Sequence, residues 1–220
     1  MSSLWEGFRA LFRRVGTQTE TRSRGLVADL NELNRSTRAG APSLNLADTF
    51  VLPLSENPVV FPRIKTTSLR TKRIVLQDEA TRAPATLVIL LFREFAHKQA
   101  VSWQQQDIIA VPWLEMTINE SVVHQALSGF AQGIQRRRIP EQMHDRYIAY
   151  NSGAEKLETF FLSQNRLLAH ALLLDRRARV RWRACGFATD DHVSLLSKAV
   201  AQLTSEDQNL AKSPSDHFPS

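Results

Sequence analysis

The chain has 220 residues and a formal net charge of +6, with 43% hydrophobic and 23% charged residues. This composition is that of a soluble globular protein with room for one ordinary domain and its tails. The single cysteine, Cys185, excludes an internal disulfide framework and any C-x-x-C pair. The longest apolar stretch, 83–92, falls far short of the ~20 residues that a membrane-spanning helix needs. We therefore expect a chain that touches a membrane at most and does not cross it.

Residues 1–25 combine an apolar stripe at helical spacing with arginines that lie mostly off that stripe. An amphipathic, arginine-rich and acid-poor start is typical of a mitochondrial transit peptide, so 1–25 is predicted to be a presequence. The alternative is a helix that lies on a membrane or on the body of the fold. The segment carries half of the net charge, and the remainder is too weakly basic to indicate nucleic acid binding. The stripe consists of Leu4, Trp5, Phe8, Leu11, Phe12 and Val15, and the arginines are Arg9, Arg13, Arg14, Arg22 and Arg24.

Residues 26–70 show no sustained hydrophobic period and contain Pro42, Pro53, Pro58 and Pro62. Because proline interrupts helices, this range is predicted to be an extended connector that precedes or wraps the domain. At the other end, the polar segment 204–220 is predicted to be a disordered tail. The folded domain is thereby placed at 71–203.

Within 71–203 the pattern predicts alternating strands and helices. The run at 85–92 is continuously apolar, as in a strand buried on both faces. Pro112 is expected to mark a bulge or an edge strand, and Asn119 and Thr189 are expected to cap helices. In chain order the predicted elements are strands 73–77 and 85–92, helix 94–105, strand 108–118, helix 120–135 closed by three arginines, helix 154–162, strands 168–174 and 179–184 joined by a turn at 175–178, and helix 190–203.

This order of elements predicts the fold class. A central β-α-β unit followed by a β-β-α unit is the plan of a thioredoxin-like α/β fold, in which a mixed sheet is flanked by helices as a three-layer structure. The chain lacks that fold's redox cysteines, since the segment 92–97 after the first central strand contains none. It also lacks a proline at 168–171, where the fold usually has a cis-proline.

Other catalytic patterns are missing as well. The sequence has no G-x-S-x-G elbow, no phosphate-binding glycine loop and no dinucleotide-binding turn. Its six histidines show no metal-ligand spacing. We therefore expect no catalytic residues, no cofactor, no metal and no small-molecule substrate: the protein is predicted not to be an enzyme.

The hairpin around residue 180 is the most distinctive motif. Arg179, Arg181 and Arg183 alternate with Val180, Trp182 and Ala184, so a regular strand would place the arginines on one face. Such a face would suit an acidic partner, anionic lipid or RNA. The alternative is a solvated face or a charge-protected sheet edge. Cys185, which follows directly, is expected to be a small buried residue.

Three blocks between about 85 and 200 resemble, in the same order, the ATP-ten family of mitochondrial ATP synthase assembly factors. The blocks are LLLDRRARVRWRACG at 172–186, LFREFA at 91–96 with Ser102 and Trp103, and INE at 118–120 followed by RRRIPE at 136–141 and HDRY at 144–147. The resemblance implies a thioredoxin-like fold without redox cysteines. It also implies a chaperone on the matrix face of the mitochondrial inner membrane, with peripheral membrane contact, whose client is subunit a of the membrane sector.

A hypothesis for the partner-binding surface follows, in which arginines beside aromatic side chains hold the hydrophobic client before assembly. The candidates are Phe92, Arg93, Phe95, Trp103, Arg136, Arg137, Arg138, Tyr147, Arg179, Arg181, Trp182 and Arg183. Two rival functions stay open. One is a redox-dead thioredoxin-like module bound to the mitochondrial ribosome or to RNA, and the other is a one-cysteine peroxidase or reductase that uses Cys185.

Overall fold

The structure, a computed structural model, describes residues 59–92, 96–104, 111–120, 129, 132–161 and 167–212. The predicted presequence, the connector as far as residue 58 and the candidates Arg93 and Phe95 lie outside these residues. Within them the chain forms one seven-stranded mixed sheet with helices on both faces.

The sheet has three parallel strands at its centre and antiparallel strands on both sides. β4 pairs in parallel with β3 and β5, whereas β1 joins β5 and β6 joins β3 in antiparallel fashion, giving the order β2-β1-β5-β4-β3-β6-β7. The strands are β1 (Lys65–Ser68), β2 (Arg73–Val75), β3 (Ala85–Leu91), β4 (Trp113–Ile118), β5 (Tyr147–Tyr150), β6 (His170–Asp175) and β7 (Val180–Cys185).

Helices cover both faces of this sheet. They are α1 (Leu76–Ala80), α2 (His97–Gln104), α3 (132–138, the part of that helix that is described) and α4 (Asp190–Lys212), with short 3-10 turns at Glu141–Met143 and Glu158–Phe160. Thr189 caps α4 as predicted, because its hydroxyl accepts the His192 amide at 3.2 Å. Leu196, Ala199 and Leu203 form the buried stripe of α4.

β3 is the centre of the core, since every one of its residues is buried. Successive side chains point to opposite faces, so Val88 and Leu90 join the core under α1, while Leu87 and Ile89 join the core under α2 and α4. Burying one such aliphatic side chain contributes about 1.5–3 kcal/mol. The continuous apolar run therefore marks a strand that is buried on both faces, as the sequence pattern predicted.

Two strands of the sheet were absent from the predicted elements. β5 has only four residues, and β1 lies inside the range assigned to the connector. Residues before β1 also pack against the domain, because Phe61 is wholly buried and its amide donates to the Ala178 carbonyl at 2.8 Å. The body of the fold therefore begins before residue 71.

Three further predictions were wrong. Pro112 marks neither an edge nor a bulge: it directly precedes β4, an interior strand, and its carbonyl accepts the Leu87 amide at 2.8 Å. In place of the helix predicted at 154–162, the described residues contain only the 3-10 turn Glu158–Phe160. Residues 204–212 are not a disordered tail, because α4 continues through them to Lys212.

The predicted fold class is confirmed. The parallel unit β3-α2-β4, the antiparallel β6-β7 hairpin and the closing helix α4 together form a thioredoxin-like α/β fold, extended by β1, β2 and β5 on one side. None of the described helices combines the length and apolarity that crossing a membrane requires.

Candidate functional site

The arginine hairpin does not present the regular cationic face that its alternation predicts. The β6-β7 register shifts between Leu173 and Leu174, so that Leu173 pairs with Trp182 but Leu174 pairs with Val180. Arg181 is the extra residue in this irregularity. The shift turns Arg181 away from the expected face and towards α4, where it is only 1% exposed.

Arg181 is the cation of a buried ion-pair network. Its guanidinium binds both carboxylate oxygens of Glu206 on α4, at 2.8 and 3.1 Å, and approaches Asp175 Oδ2 at 3.4 Å. The Arg181 hydrogen bonds outweigh burial and hold the pKa of Glu206 below its usual value. Such a bidentate arginine–carboxylate pair is a strong ion pair with a specific geometry. The residue that looked most like a docking contact therefore joins the sheet to its last helix.

Asp175 organises the turn of the same hairpin. One carboxylate oxygen accepts the backbone amides of Arg177 and Arg179, each at 2.9 Å, and the other accepts Arg179 Nε at 2.6 Å. Ala178 completes the turn with a φ of 58°. Arg179 is thus mostly engaged inside the turn, and Arg183 reaches back to the Thr159 carbonyl at 3.3 Å.

The aromatic candidates lie in the core. Phe92 packs edge-on against Phe161 with ring centroids 5.0 Å apart, and Trp103 packs in the same way against Trp182 at 5.7 Å. The indole of Trp103 also donates to the Gly186 carbonyl at 2.9 Å. All of these rings are buried. As contacts to a partner, Phe92, Trp103 and Trp182 are therefore corrected to core residues.

Tyr147 belongs to a polar network under α2. Glu115, which is 1% exposed in the middle of β4, lies 3.3 Å from His97 Nδ1 and accepts the Gln104 side-chain amide at 2.5 Å. The Tyr147 hydroxyl donates to the Gln104 carbonyl oxygen at 3.4 Å. Burial, and then the charge of Glu115, raises the pKa of Tyr147 to about 12. This network fastens α2 to two strands of the sheet.

The end of the sheet at which β3 finishes is where a redox thioredoxin would hold its thiols. The one cysteine, Cys185, is fully buried near this end in the last position of β7. A dithiol needs two cysteines, so disulfide exchange between paired thiols is excluded for this chain. Among the described residues there is also no group of three or more side chains arranged to hold a metal ion.

Gln99 fixes the loop before β6, the place where redox members carry a cis-proline. Its amide nitrogen donates to the Leu167 carbonyl at 3.0 Å, and its oxygen accepts the Ala169 amide at 2.8 Å. The peptide bonds of the described residues are all trans. A single buried side chain thus shapes this loop, and nothing in a lone glutamine of a helical segment predicts that role.

An exposed phenylalanine stands beside this loop. Phe187 is 52% exposed and follows Gly186, whose φ of 81° turns the chain from β7 towards α4. The loop is held in place, because the Ala188 amide donates to the Ser102 hydroxyl at 2.9 Å and Gly186 donates to Ala169 at 2.9 Å. The sequence carried a weak signal for Phe187, as an aromatic residue between a glycine and a helix start.

Among the described candidate residues, the arginine triplet is the most exposed group. Arg137 and Arg138 are exposed in the last turn of α3, and Arg136 Nε donates to the Leu69 carbonyl in the β1-β2 turn. These cations meet the negative end of the helix dipole. The structure therefore separates the triplet from the buried aromatic residues with which the sequence hypothesis grouped it.

Comparison with solved structures returns thioredoxin-like proteins. An exposed lipoprotein thioredoxin of Streptococcus pneumoniae matches with 12% identity and a TM-score of 0.43, covering 62% of this chain and 98% of its own. A putative thiol:disulfide interchange protein DsbE of Chlorobium tepidum matches with 14% identity and a TM-score of 0.45, covering 67% and 98%. At these identities the likeness is one of fold alone.

The sequence comparisons are more specific. No curated protein sequence matches the chain. The family model described as ATP10 protein matches residues 55–203, which include all seven strands and the start of α4. The chain therefore belongs to the ATP10 protein family of mitochondrial ATP synthase assembly factors.

Proposed function

We propose that this protein is a non-enzymatic chaperone that holds subunit a of the ATP synthase membrane sector, at the matrix face of the mitochondrial inner membrane, until subunit a is incorporated. The observation that carries the proposal is the family match over residues 55–203. The burial of the single thiol, Cys185, supports it, because thiol chemistry needs an accessible thiolate.

We place the holding surface at the end of the sheet where β3 finishes. Phe187 is an exposed aromatic side chain on a loop fastened by backbone hydrogen bonds, and such rigid apolar anchors suit hydrophobic partners. The predicted contacts Arg93 and Phe95 lie outside the residues that the structure describes, and their role stays a prediction. The buried Trp103 and the partly buried Ser102 support the loop from α2.

Loss of the protein, followed by native gel electrophoresis of the respiratory complexes, tests the function. The expected result is a deficit of assembled ATP synthase in which subunit a is missing or degraded while the other complexes persist. Normal ATP synthase together with a ribosome defect would instead favour the RNA-bound alternative and overturn the proposal.

The holding surface is tested by crosslinking. A photoreactive residue in place of Phe187 should crosslink to newly made subunit a, whereas the same group in place of Val59, which is 45% exposed, should not. Phe187→Ser should lower copurification of subunit a without changing the free energy of unfolding by more than about 0.5 kcal/mol, as is usual for an exposed position. Equal crosslinking at both positions would remove the surface assignment and leave the function to the native gel.

A further inference from the structure

Two clusters of cations that are far apart in the sequence lie at the same end of the sheet. β3, β4 and β5 run parallel, and we call the end at which they begin the base. Ser68 pairs with Ile148, so the β1-β2 turn lies at the base beside the start of β5. Ala85 pairs with Asp175, so the β6-β7 turn lies at the base beside the start of β3.

The first patch surrounds the β1-β2 turn. Hydrogen bonds hold its parts together: Arg136 Nε donates to the Leu69 carbonyl, Leu69 donates to the Tyr147 carbonyl at 3.0 Å, and Arg70 binds the Glu141 carbonyl at 3.0 Å. Two carboxylates, Glu141 and Asp145, offset part of the charge by pairing with Arg70. The cations of the patch are Arg70, Lys72, Arg136, Arg137, Arg138 and Arg146.

The second patch surrounds the β6-β7 turn. Arg176 and Arg177 are exposed there, and Arg176 pairs with Asp207 at 2.8 Å. Leu210, on the last turns of α4, lines the same cleft and is 53% exposed. The first patch has a similar apolar neighbour in Ile134, which is 39% exposed on α3. Cations beside exposed aliphatic side chains are the composition that suits the interface of a bilayer.

The spacing of the patches indicates the shape of the partner. Four strand-to-strand steps separate the β1-β2 turn from β6, which amounts to roughly 20 Å at the sheet and more at its twisted ends. This distance exceeds the Debye length of about 8 Å at physiological salt, so the two patches act independently on a small ligand. An extended anionic surface engages both patches, whereas a short acidic peptide engages one.

The chain also enters the fold at the base. The Val59 carbonyl accepts the Val180 amide at 3.0 Å, and Val60 bridges to Arg179 next to the β6-β7 turn. The preceding 58 residues, which include the arginine-rich segment 1–25, are therefore tethered at the end that carries both patches.

From these observations we propose that the base is a membrane-docking surface for anionic phospholipid headgroups. RNA fits less well, because single-stranded nucleic acid is bound on exposed aromatic platforms. Among the described residues of the base, Trp113 already has the Arg146 guanidinium over its ring, 5.1 Å from the centroid, and Tyr147 is half buried. The inference rests on the proposed function only in placing the protein at a membrane. It puts the bilayer at the end of the sheet opposite to the end that carries Phe187.

Vesicle flotation of the full chain tests the docking surface. A triple variant, Arg137→Gln with Arg138→Gln and Arg177→Gln, removes exposed cations from both patches. A matched control, Lys98→Gln with Lys156→Gln and Lys198→Gln, removes the same charge from exposed positions away from the base. Each lost cation weakens binding about fivefold, so the base variant should bind phosphatidylcholine–phosphatidylglycerol vesicles roughly 100-fold more weakly. The control should change the affinity little, and pure phosphatidylcholine vesicles should bind neither.

A second measurement separates the base from the N-terminal segment, which is itself cationic. Because Cys185 is buried, an environment-sensitive dye can be attached selectively to a cysteine introduced at Ile134 or, as a control, at Lys198. Dye at 134 should shift to the blue and be quenched by a headgroup-labelled lipid, and dye at 198 should not respond. Inorganic phosphate should not displace the protein from the vesicles, since it lacks the extended surface.

The outcomes separate this inference from the proposed function. Equal loss of vesicle binding in the two triple variants, no dye response at 134, or preferential binding of an oligoribonucleotide over vesicles would each overturn the docking surface. The first two outcomes do not bear on whether subunit a is held, whereas preferential RNA binding would also favour the RNA-bound alternative, which the native gel then decides. Conversely, a normal ATP synthase in the absence of the protein would leave the vesicle results unchanged.

Discussion

Replacing Arg181 by methionine removes the cation of the buried network while keeping most of the side-chain volume. Arg181 makes two hydrogen bonds to Glu206, at 2.8 and 3.1 Å, and one to Asp175 at 3.4 Å. Removing one partner of a buried ion pair typically costs 3–5 kcal/mol, because the remaining charge is left uncompensated. Glu206 keeps its bond from Gln202 and some solvent contact, and Asp175 keeps Arg179. We therefore expect a loss at the lower end, about 3 kcal/mol.

Urea unfolding followed by tryptophan fluorescence measures this loss. Arg183→Met is the matched control on the same strand. Arg183 is only partly buried and donates one long bond, at 3.3 Å, to the Thr159 carbonyl, so its replacement should cost about 0.5–1 kcal/mol. A double-mutant cycle of Arg181→Met with Glu206→Gln should give a coupling energy of about 2 kcal/mol, within the range for residues in direct contact.

The fastening role of Arg181 is refuted if Arg181→Met and Arg183→Met destabilise the fold equally. It also fails if the Arg181 and Glu206 replacements are simply additive. Either result would mean that the ion pair with Glu206 does not fasten Arg181 to α4.

The remaining predictions concern pH, the polar networks and the thiol. Arg181 holds the pKa of Glu206 in the folded protein below its value in the unfolded chain. The pair therefore stabilises the fold above the unfolded pKa, and this stabilisation is lost as the pH falls through the folded pKa. Glu206→Gln should flatten the acid side of a plot of unfolding free energy against pH. Tyr147, with its pKa raised to about 12, should form tyrosinate only near pH 12 in an ultraviolet titration, and Tyr147→Phe should abolish the component near pH 12. The stabilising effect of Tyr147 should be present below pH 10 and lost as the pH rises through 12. Gln99→Leu removes the two buried hydrogen bonds to the Leu167 carbonyl and from the Ala169 amide, so it should cost about 2–3 kcal/mol and speed hydrogen exchange at Ala169. Unchanged exchange at Ala169 would be evidence against the fastening role of Gln99. Because it is buried, Cys185 should react with a thiol reagent only as fast as the protein unfolds. Cys185→Ser should still support ATP synthase assembly, whereas a turnover that depends on this thiol would favour the enzyme alternative.

Strong local patterns explain which parts of the fold were predictable. The seven-residue run of β3 has no competing period, and the Thr189 cap with the apolar stripe of α4 marks a helix on its own. β1 and β5 were missed because four residues carry too little pattern to distinguish a strand from a loop. Their place in the sheet is decided by pairing with distant residues, such as Thr67 with Ala149.

The candidate site was harder to predict, because the sequence does not encode burial directly. The arginines and aromatics of the hairpin have the composition of a binding surface, yet one register shift turns Arg181 inward and Trp182 fills the core. A strand shifted by one residue exchanges its faces, and no pattern within β7 announces the shift. The triplet Arg136–Arg138 was easier, since cations at the end of a helix are ordinarily exposed.

The two acids of α4 that pair with hairpin arginines have a practical consequence for shortened versions of the protein. The family match ends at residue 203, while Glu206 and Asp207 lie just beyond it. A chain cut at that boundary keeps every strand but removes Glu206 from Arg181 and Asp207 from Arg176. Such a fragment should be less soluble and prone to misfold, so truncation studies are best begun after residue 212.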